Sequence, residues 1–229
     1  MTVENIIKAV RFCYDEEALN AANFGDASSN DNTLMDNIIK SKIGDALRWV
    51  CLYAPAELLT GKDGDSATTI VADKTPDTVN NIPSSGDSIG GSFSVENDFL
   101  RLIRVRGNDW HRAVMTPIEE DSEEYLQLYD TNGAAATKDR PQAAIIYSAT
   151  KKIEVYPKPT TVTYTYVKDP LATGTDYSTT APSIPTKAQG AFIYYLAFLV
   201  LSAYEDSRAP RMLEIAKMNI SRTDNVQKK

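Results

Sequence analysis

Residues 190–204 read GAFIYYLAFLVLSAY, the longest apolar run in the chain. It is shorter than the 18 or more residues a membrane span usually needs, and Glu205, Asp206 and Arg208 follow at once, so the run predicts a buried helix and no membrane partner. Being apolar nearly all round, that helix must be covered on every side, by its own domain or by neighbouring copies. Upstream, Ser183-Ile184-Pro185 reads as its cap and first turn, and Pro170 to Pro185 as a polar connector. Downstream, Pro210 opens another helix, Arg211 to about Thr223, with Met212, Ile215, Ala216 and Asn219 or Ile220 on one side. Asp224 to Lys229 reads as a tail.

A helical run of this kind needs partners, and the other end of the chain supplies them. Val3, Ile6, Ile7, Val10 and Tyr14 recur at helical spacing behind Thr2, a suitable N-cap, predicting a helix that ends near Ala22. The turn-rich Asn23 to Asn32 follows, then a second helix from Thr33 with Leu34, Ile38, Ile39, Ile43, Ala46, Leu47 and Val50 on one stripe, ended by Pro55. The two helices are expected to form a hairpin.

After Gly61 the apolar period falls to two. Ser66 to Ala72 and Ile89 to Val95 read as strands, with loops at Thr75-Pro76-Asp77 and at 83–87. Phe99 to Val105 (FLRLIRV), the turn Gly107-Asn108-Asp109 and Trp110 to Met115 predict a hairpin. Tyr125, Leu128 and Tyr129 mark a short helix within Glu119 to Tyr129. Ala143 to Ser148, Lys152 to Tyr156 and Thr161 to Val167 follow with short links, predicting an antiparallel meander, with Pro157 and Pro159 between the last two strands. The fold class is therefore α+β: a small helical bundle formed by both chain ends, with an inserted antiparallel β domain. The expected divisions are 1–60 (helical hairpin), 61–170 (β-rich domain with one short helix) and 171–229 (closing helices and tail).

The chain has 229 residues, 42% hydrophobic and 24% charged, enough to bury a real core. Its formal net charge of -7 is opposite to that of a protein gripping nucleic acid through phosphates, though it suits a surface past which DNA slides. Cys13 and Cys51 are too few for a disulfide scaffold or a zinc cluster and read as free thiols. Met1 to Asn5 lack the pattern of a secretory signal, which predicts cytoplasmic synthesis.

No constellation specific to an enzyme emerges, and no cofactor is expected. The single histidine, His111, lies far in sequence from either cysteine, and no GxSxG elbow, phosphate loop or GxGxxG fingerprint occurs. The run Glu119, Glu120, Asp121, Glu123 and Glu124 offers carboxylates to a hard cation, but acidic residues at a helix start are favoured without one. Asp63-Gly64-Asp65 matches only a fragment of a calcium loop. Arg101, Arg104, Arg106 and Arg112 concentrate basic charge on the predicted hairpin of an acidic protein. No aromatic platform interleaves with them, so pairing with an acidic surface on another subunit is favoured over nucleic acid.

The order of two helices, a strand-rich insertion and two closing helices resembles the head-to-tail connector (adaptor, or neck ring) proteins of tailed bacteriophages. The likeness is carried by Phe99 to Val105 followed by Trp110, by Arg140-Pro141 before AAIIYS, by IEVYP at 153–157 followed by TYTY at 163–166, and by AFIYYLAFLVLSAYEDSRAP at 191–210. It covers most of the chain, is nearest to adaptors of short-tailed phages, and suggests a ring of a crAss-like phage. The segment from Thr60 to Ser92 does not align. The resemblance implies a structural virion protein at the head-tail junction, assembled in the host cytoplasm. Its implied partners are itself, in a closed ring of commonly about twelve copies, the portal protein, and other neck, collar or tail proteins. DNA would pass through the channel without specific binding. It also implies portal contact through the carboxyl-terminal segment, including Asn219, Ile220, Arg222, Lys228 and Lys229. Two other classes remain open: a carbohydrate-binding or adhesive β module using tyrosines such as Tyr164, and a metal-assisted hydrolase using Glu123.

Overall fold

A helical stripe and a two-residue period need different partners, and the chain separates them. The computed structural model describes residues 1–14, 30–60, 70–83, 88–128, 136–148 and 150–221. Contacts divide it into a unit of Met1–Ile70 with Asp169–Lys229 and a unit of Val71–Lys168. In chain order the elements begin with α1 (Val3–Tyr14), α2 (Asn30–Tyr53), α3 (Ala56–Leu59), β1 (Val71–Lys74), β2 (Asn80–Pro83) and β3 (Ser88–Ser94). Next come β4 (Phe99–Gly107), β5 (Ile118–Glu119), α4 (Glu123–Gln127), β6 (Gln142–Ile146), β7 (Lys152–Tyr156) and β8 (Val162–Lys168). The helices α5 (Thr186–Ala203) and α6 (Ala209–Ser221) close the chain.

In the helical unit α5 is the central element, touched by α1, α2, α3 and α6. Ala188, Ala191, Phe192, Ile193, Leu196, Ala197, Val200 and Leu201 are all buried along it. Thr2 caps α1, its hydroxyl accepting from the Asn5 amide at 3.2 Å, and Ile6 and Val10 are fully buried. Although α1 also touches α2, with Arg11 and Asp36 paired at 2.5 Å, it leans chiefly on α5 rather than forming a simple hairpin with α2. Helix α2 buries Ile39, Ile43, Ala46, Leu47 and Val50 and stops before Pro55, as expected. Leu34, counted on the same stripe, is exposed, Ile38 is half-buried, and full burial begins at Ile39. The predicted end of α1 near Ala22 lies outside the described residues.

Helix α5 starts differently from its prediction. Pro185 occupies the N-cap position with no side-chain cap, and Ser183 takes no part. Past the C-cap Tyr204, Glu205 turns into the left-handed region (φ 55°), with the Asp206 amide donating to the Leu201 carbonyl at 3.0 Å. Asp206 in turn accepts from the Arg208 amide at 2.8 Å and pairs with its guanidinium, which holds the Asp206 carboxyl down at about 2. Asn219 of α6 lies against Gly190 of α5, where an added Cβ would come within 3.3 Å of its Oδ1.

The β unit is a sandwich of a three-stranded sheet, β1-β8-β4, and a five-stranded sheet, β2-β3-β7-β6-β5. One core joins them: Phe93, Ala143, Ile145, Ile153 and Val155 from the second sheet meet Leu102, Val105, Val162, Tyr164 and Tyr166 from the first. The Phe93 and Tyr164 rings bridge the layers at 5.2 Å between centroids.

Three sequence expectations change here. First, β4 does not pair with Trp110 to Met115 as a hairpin; a single bridge, Val105 to Val114, remains, and β8 takes its ladder. The indole explains it: Trp110 is buried, its Nε1 donates to the Pro157 carbonyl at 3.1 Å, and it fills the space where a side chain at Gly107 would stand. Second, β6 and β7 do form an antiparallel pair, but β8 leaves for the other sheet, since β3 holds the second edge of β7 and Pro157 and Pro159 supply no donors to continue the ladder. Third, the second sheet is mixed, because β5 runs parallel to β6. Of the strand read at Ser66 to Ala72, residues 66–69 lie outside the described residues, Ile70 is in a turn, and β1 begins only at Val71 and runs on to Lys74. Strand β2 ends at Pro83, inside the stretch read as a loop.

Candidate functional site

Two regions of the β sandwich carry the charge, the outside of β4 and the edge at β5. On the three-stranded sheet, the ladder between β4 and β8 skips between Phe99 and Arg101 and again between Leu102 and Arg104. Those two bulges bring Arg101, Arg104 and Arg106 opposite Val167, Thr165 and Thr163, every second residue of β8. All three arginines therefore share the face pointing away from the core, while Leu102 and Val105 share the inner one with Tyr166 and Tyr164. Arg104 is anchored, its Nε donating to Thr165 Oγ1 at 2.9 Å with Asp73 of β1 beside its guanidinium at 3.8 Å. The Thr165 hydroxyl also donates to Asp73. Arg106 and Arg112 are exposed, the latter in the irregular segment after β4 and not on the sheet. Asp73 and Thr165 escaped the sequence reading, because cross-strand register is what brings them to Arg104.

On the opposite side, α4 covers the outer face of the five-stranded sheet. Tyr125 Oη donates to Glu154 Oε2 at 3.0 Å, and Leu128 packs with Tyr156, both on the side of the strands turned from the shared core. Ser122 caps this short helix, its Oγ accepting from the Tyr125 amide at 3.2 Å. Glu119, Glu120, Asp121, Glu123 and Glu124 are all exposed around that turn. Glu119, Glu120 and Asp121 line one cleft with the 67%-exposed Tyr147, whose amide donates to Glu120 Oε2 at 3.1 Å. Among the described residues no group of three or more His, Cys, Asp or Glu is placed to hold a metal ion. The calcium-loop fragment at 63–65 lies outside them.

Tyr164 cannot serve an adhesive face. It is 2% exposed, its ring against Phe93 and Tyr166, and burial pushes its hydroxyl up to about 12. Tyr166, equally buried, is raised further, first by burial and then by donating to Asp98 Oδ1 at 2.8 Å. His111 is exposed beside the Asp139 carboxylate rather than on a strand. Cys13 is half-buried and Cys51 buried, both free of disulfides, and burial raises the Cys13 thiol to about 11.

At the carboxyl end, Asn219 donates from Nδ2 to the Ile215 carbonyl at 2.9 Å and is half-buried against Gly190 of α5, and Ile220 is half-buried. Arg222, Lys228 and Lys229 lie outside the described residues. No helix among the described residues is long and apolar enough to cross a membrane. A family described as SU10 adaptor protein matches residues 1–223. No curated protein matches the chain.

Proposed function

The chain belongs to the SU10 adaptor protein family, and from that premise we propose that its copies form a ring joining the capsid portal to the tail and extending the DNA channel. Membership makes the protein a structural phage adaptor that contacts other head or tail proteins. The observation that carries the ring reading is the reach of the match, which takes in both helical ends and the β unit between them.

Two features support it. Helix α5 is buried on one side and, on another, exposes parts of Tyr195 and Phe198, with Trp49 of α2 stacked on Tyr195 at 4.0 Å and Tyr53 64% exposed beside it. Such an aromatic surface is typical of protein contacts. The net charge of -7 suits a lumen through which DNA passes without sticking. Portal contact through Asn219 to Lys229, and the narrower assignment to a ring of a crAss-like phage, rest on the sequence resemblance alone. Light scattering after size-exclusion chromatography, on the full chain alone and with the portal protein of the same genome, tests the reading. A stoichiometric, ring-sized complex is expected. A monomer that associates with neither itself nor the portal would overturn it.

A further inference from the structure

The arginine face of β4 and the carboxylate cleft at the edge strand β5 belong to different sheets of one sandwich, and each has the chemistry to receive the other. Arg104 and Arg106 stand on the outside of β4, held in line by the two bulges and, at Arg104, by Thr165 and Asp73. The cleft of Glu119, Glu120 and Asp121 with the exposed Tyr147 ring offers what a guanidinium binds best, carboxylate oxygens and an aromatic face. Within one copy they do not pair: Arg104 is engaged by Thr165 and Asp73, and Glu120 by the Tyr147 amide. We propose that they meet between copies: the Arg104 and Arg106 face of one copy docks on the acidic cleft beside α4 of the next.

The contact is heterologous, using two different patches, so it repeats head to tail and leaves each copy with one donor and one acceptor face until a ring closes. The occupant is a second copy of this chain because the complement is present on the chain itself, in an otherwise acidic protein whose copies repel one another wherever such opposite patches are not aligned. This inference rests on the ring reading above and assigns it a surface.

The experiment is oligomeric state by light scattering on the full chain, with the portal protein added if the ring forms only there. R106E, R104E/R106E and E120R/D121R are each expected to weaken assembly at least about tenfold, with circular dichroism unchanged. R106E carries the test alone should the loss of the Thr165 bond at Arg104 disturb the sheet. An equimolar mixture of R104E/R106E and E120R/D121R is expected to assemble again, since each then offers the face the other lacks. Raising salt from about 0.05 to about 0.5 M should dissociate the wild-type contact. Rings that form unchanged from both charge-reversed variants, or folded variants that stay apart when mixed, would overturn this contact and leave the ring reading standing. A wild-type chain that never assembles, with or without portal, would remove both.

Discussion

Helix α5 and strand β8 each carry a pair of tyrosines, to different ends. Both place aromatic and aliphatic residues side by side, FIYYL at 192–196 and VTYTYV at 162–167. In β8 the two-residue period sends Tyr164 and Tyr166 together into the core, with Thr163 and Thr165 turned toward the arginine face. In α5 the helical period spreads its apolar residues around the axis, so Phe192 and Leu196 are fully buried while Tyr194 and Tyr195 remain half-exposed. Periodicity, more than composition, decides which tyrosine is core and which is surface. A strand commits each residue to one of two sides; an all-apolar helix leaves some for a partner.

The largest effect should come from the helix. Leu196→Asp places a carboxylate without a partner at a fully buried position touched from several helices, costing several kcal/mol and abolishing cooperative thermal unfolding of the helical unit. Next, Tyr164→Ala should cost about 3–5 kcal/mol in urea unfolding, against about 1 kcal/mol for Tyr195→Ala, which forfeits mainly the stack on Trp49. Equal losses at the two positions would break the comparison.

Alkali probes the same pair of core tyrosines. Folded-state values above the ordinary value near 10 mean the folded chain holds its phenolic protons more tightly. That stability is fully present below about pH 10 and drains away as pH rises through about 12. Phenolate absorbance from Tyr164 and Tyr166 should therefore appear together with loss of the β unit's structure. Gly90→Ala is smaller, about 1–3 kcal/mol, since its Cβ would stand 2.5 Å from the buried Tyr156 ring. Glu205→Gly should go the other way, stabilising by roughly 0.5–1 kcal/mol, because a left-handed residue at the end of α5 loses its steric penalty.

What could be read in advance follows the same line. The buried helix, the cap at Thr2, the stop before Pro55 and strand β7 at Lys152 to Tyr156 all express local spacing, and they lie where the spacing puts them. Partnership does not. Nothing in VTYTYV says that its neighbours are β1 and β4 rather than β7, and nothing in FLRLIRV announces two bulges. With straight alternation Arg101 and Arg104 would fall on opposite sides, so a cluster of arginines was visible in the letters while their common face was not. Strand β2 was missed because NNIP is turn chemistry until β3 offers it an edge.

The quiet thiols have a practical consequence. With the Cys13 thiol raised to about 11, its reactive thiolate fraction at neutral pH is on the order of 10⁻⁴, and Cys51 is sealed from solvent. A new cysteine set beside Arg106 or Tyr147 would then take a fluorescent label ahead of either native one. Neighbouring copies would report their approach by energy transfer, in a protein that needs no background cysteine removed.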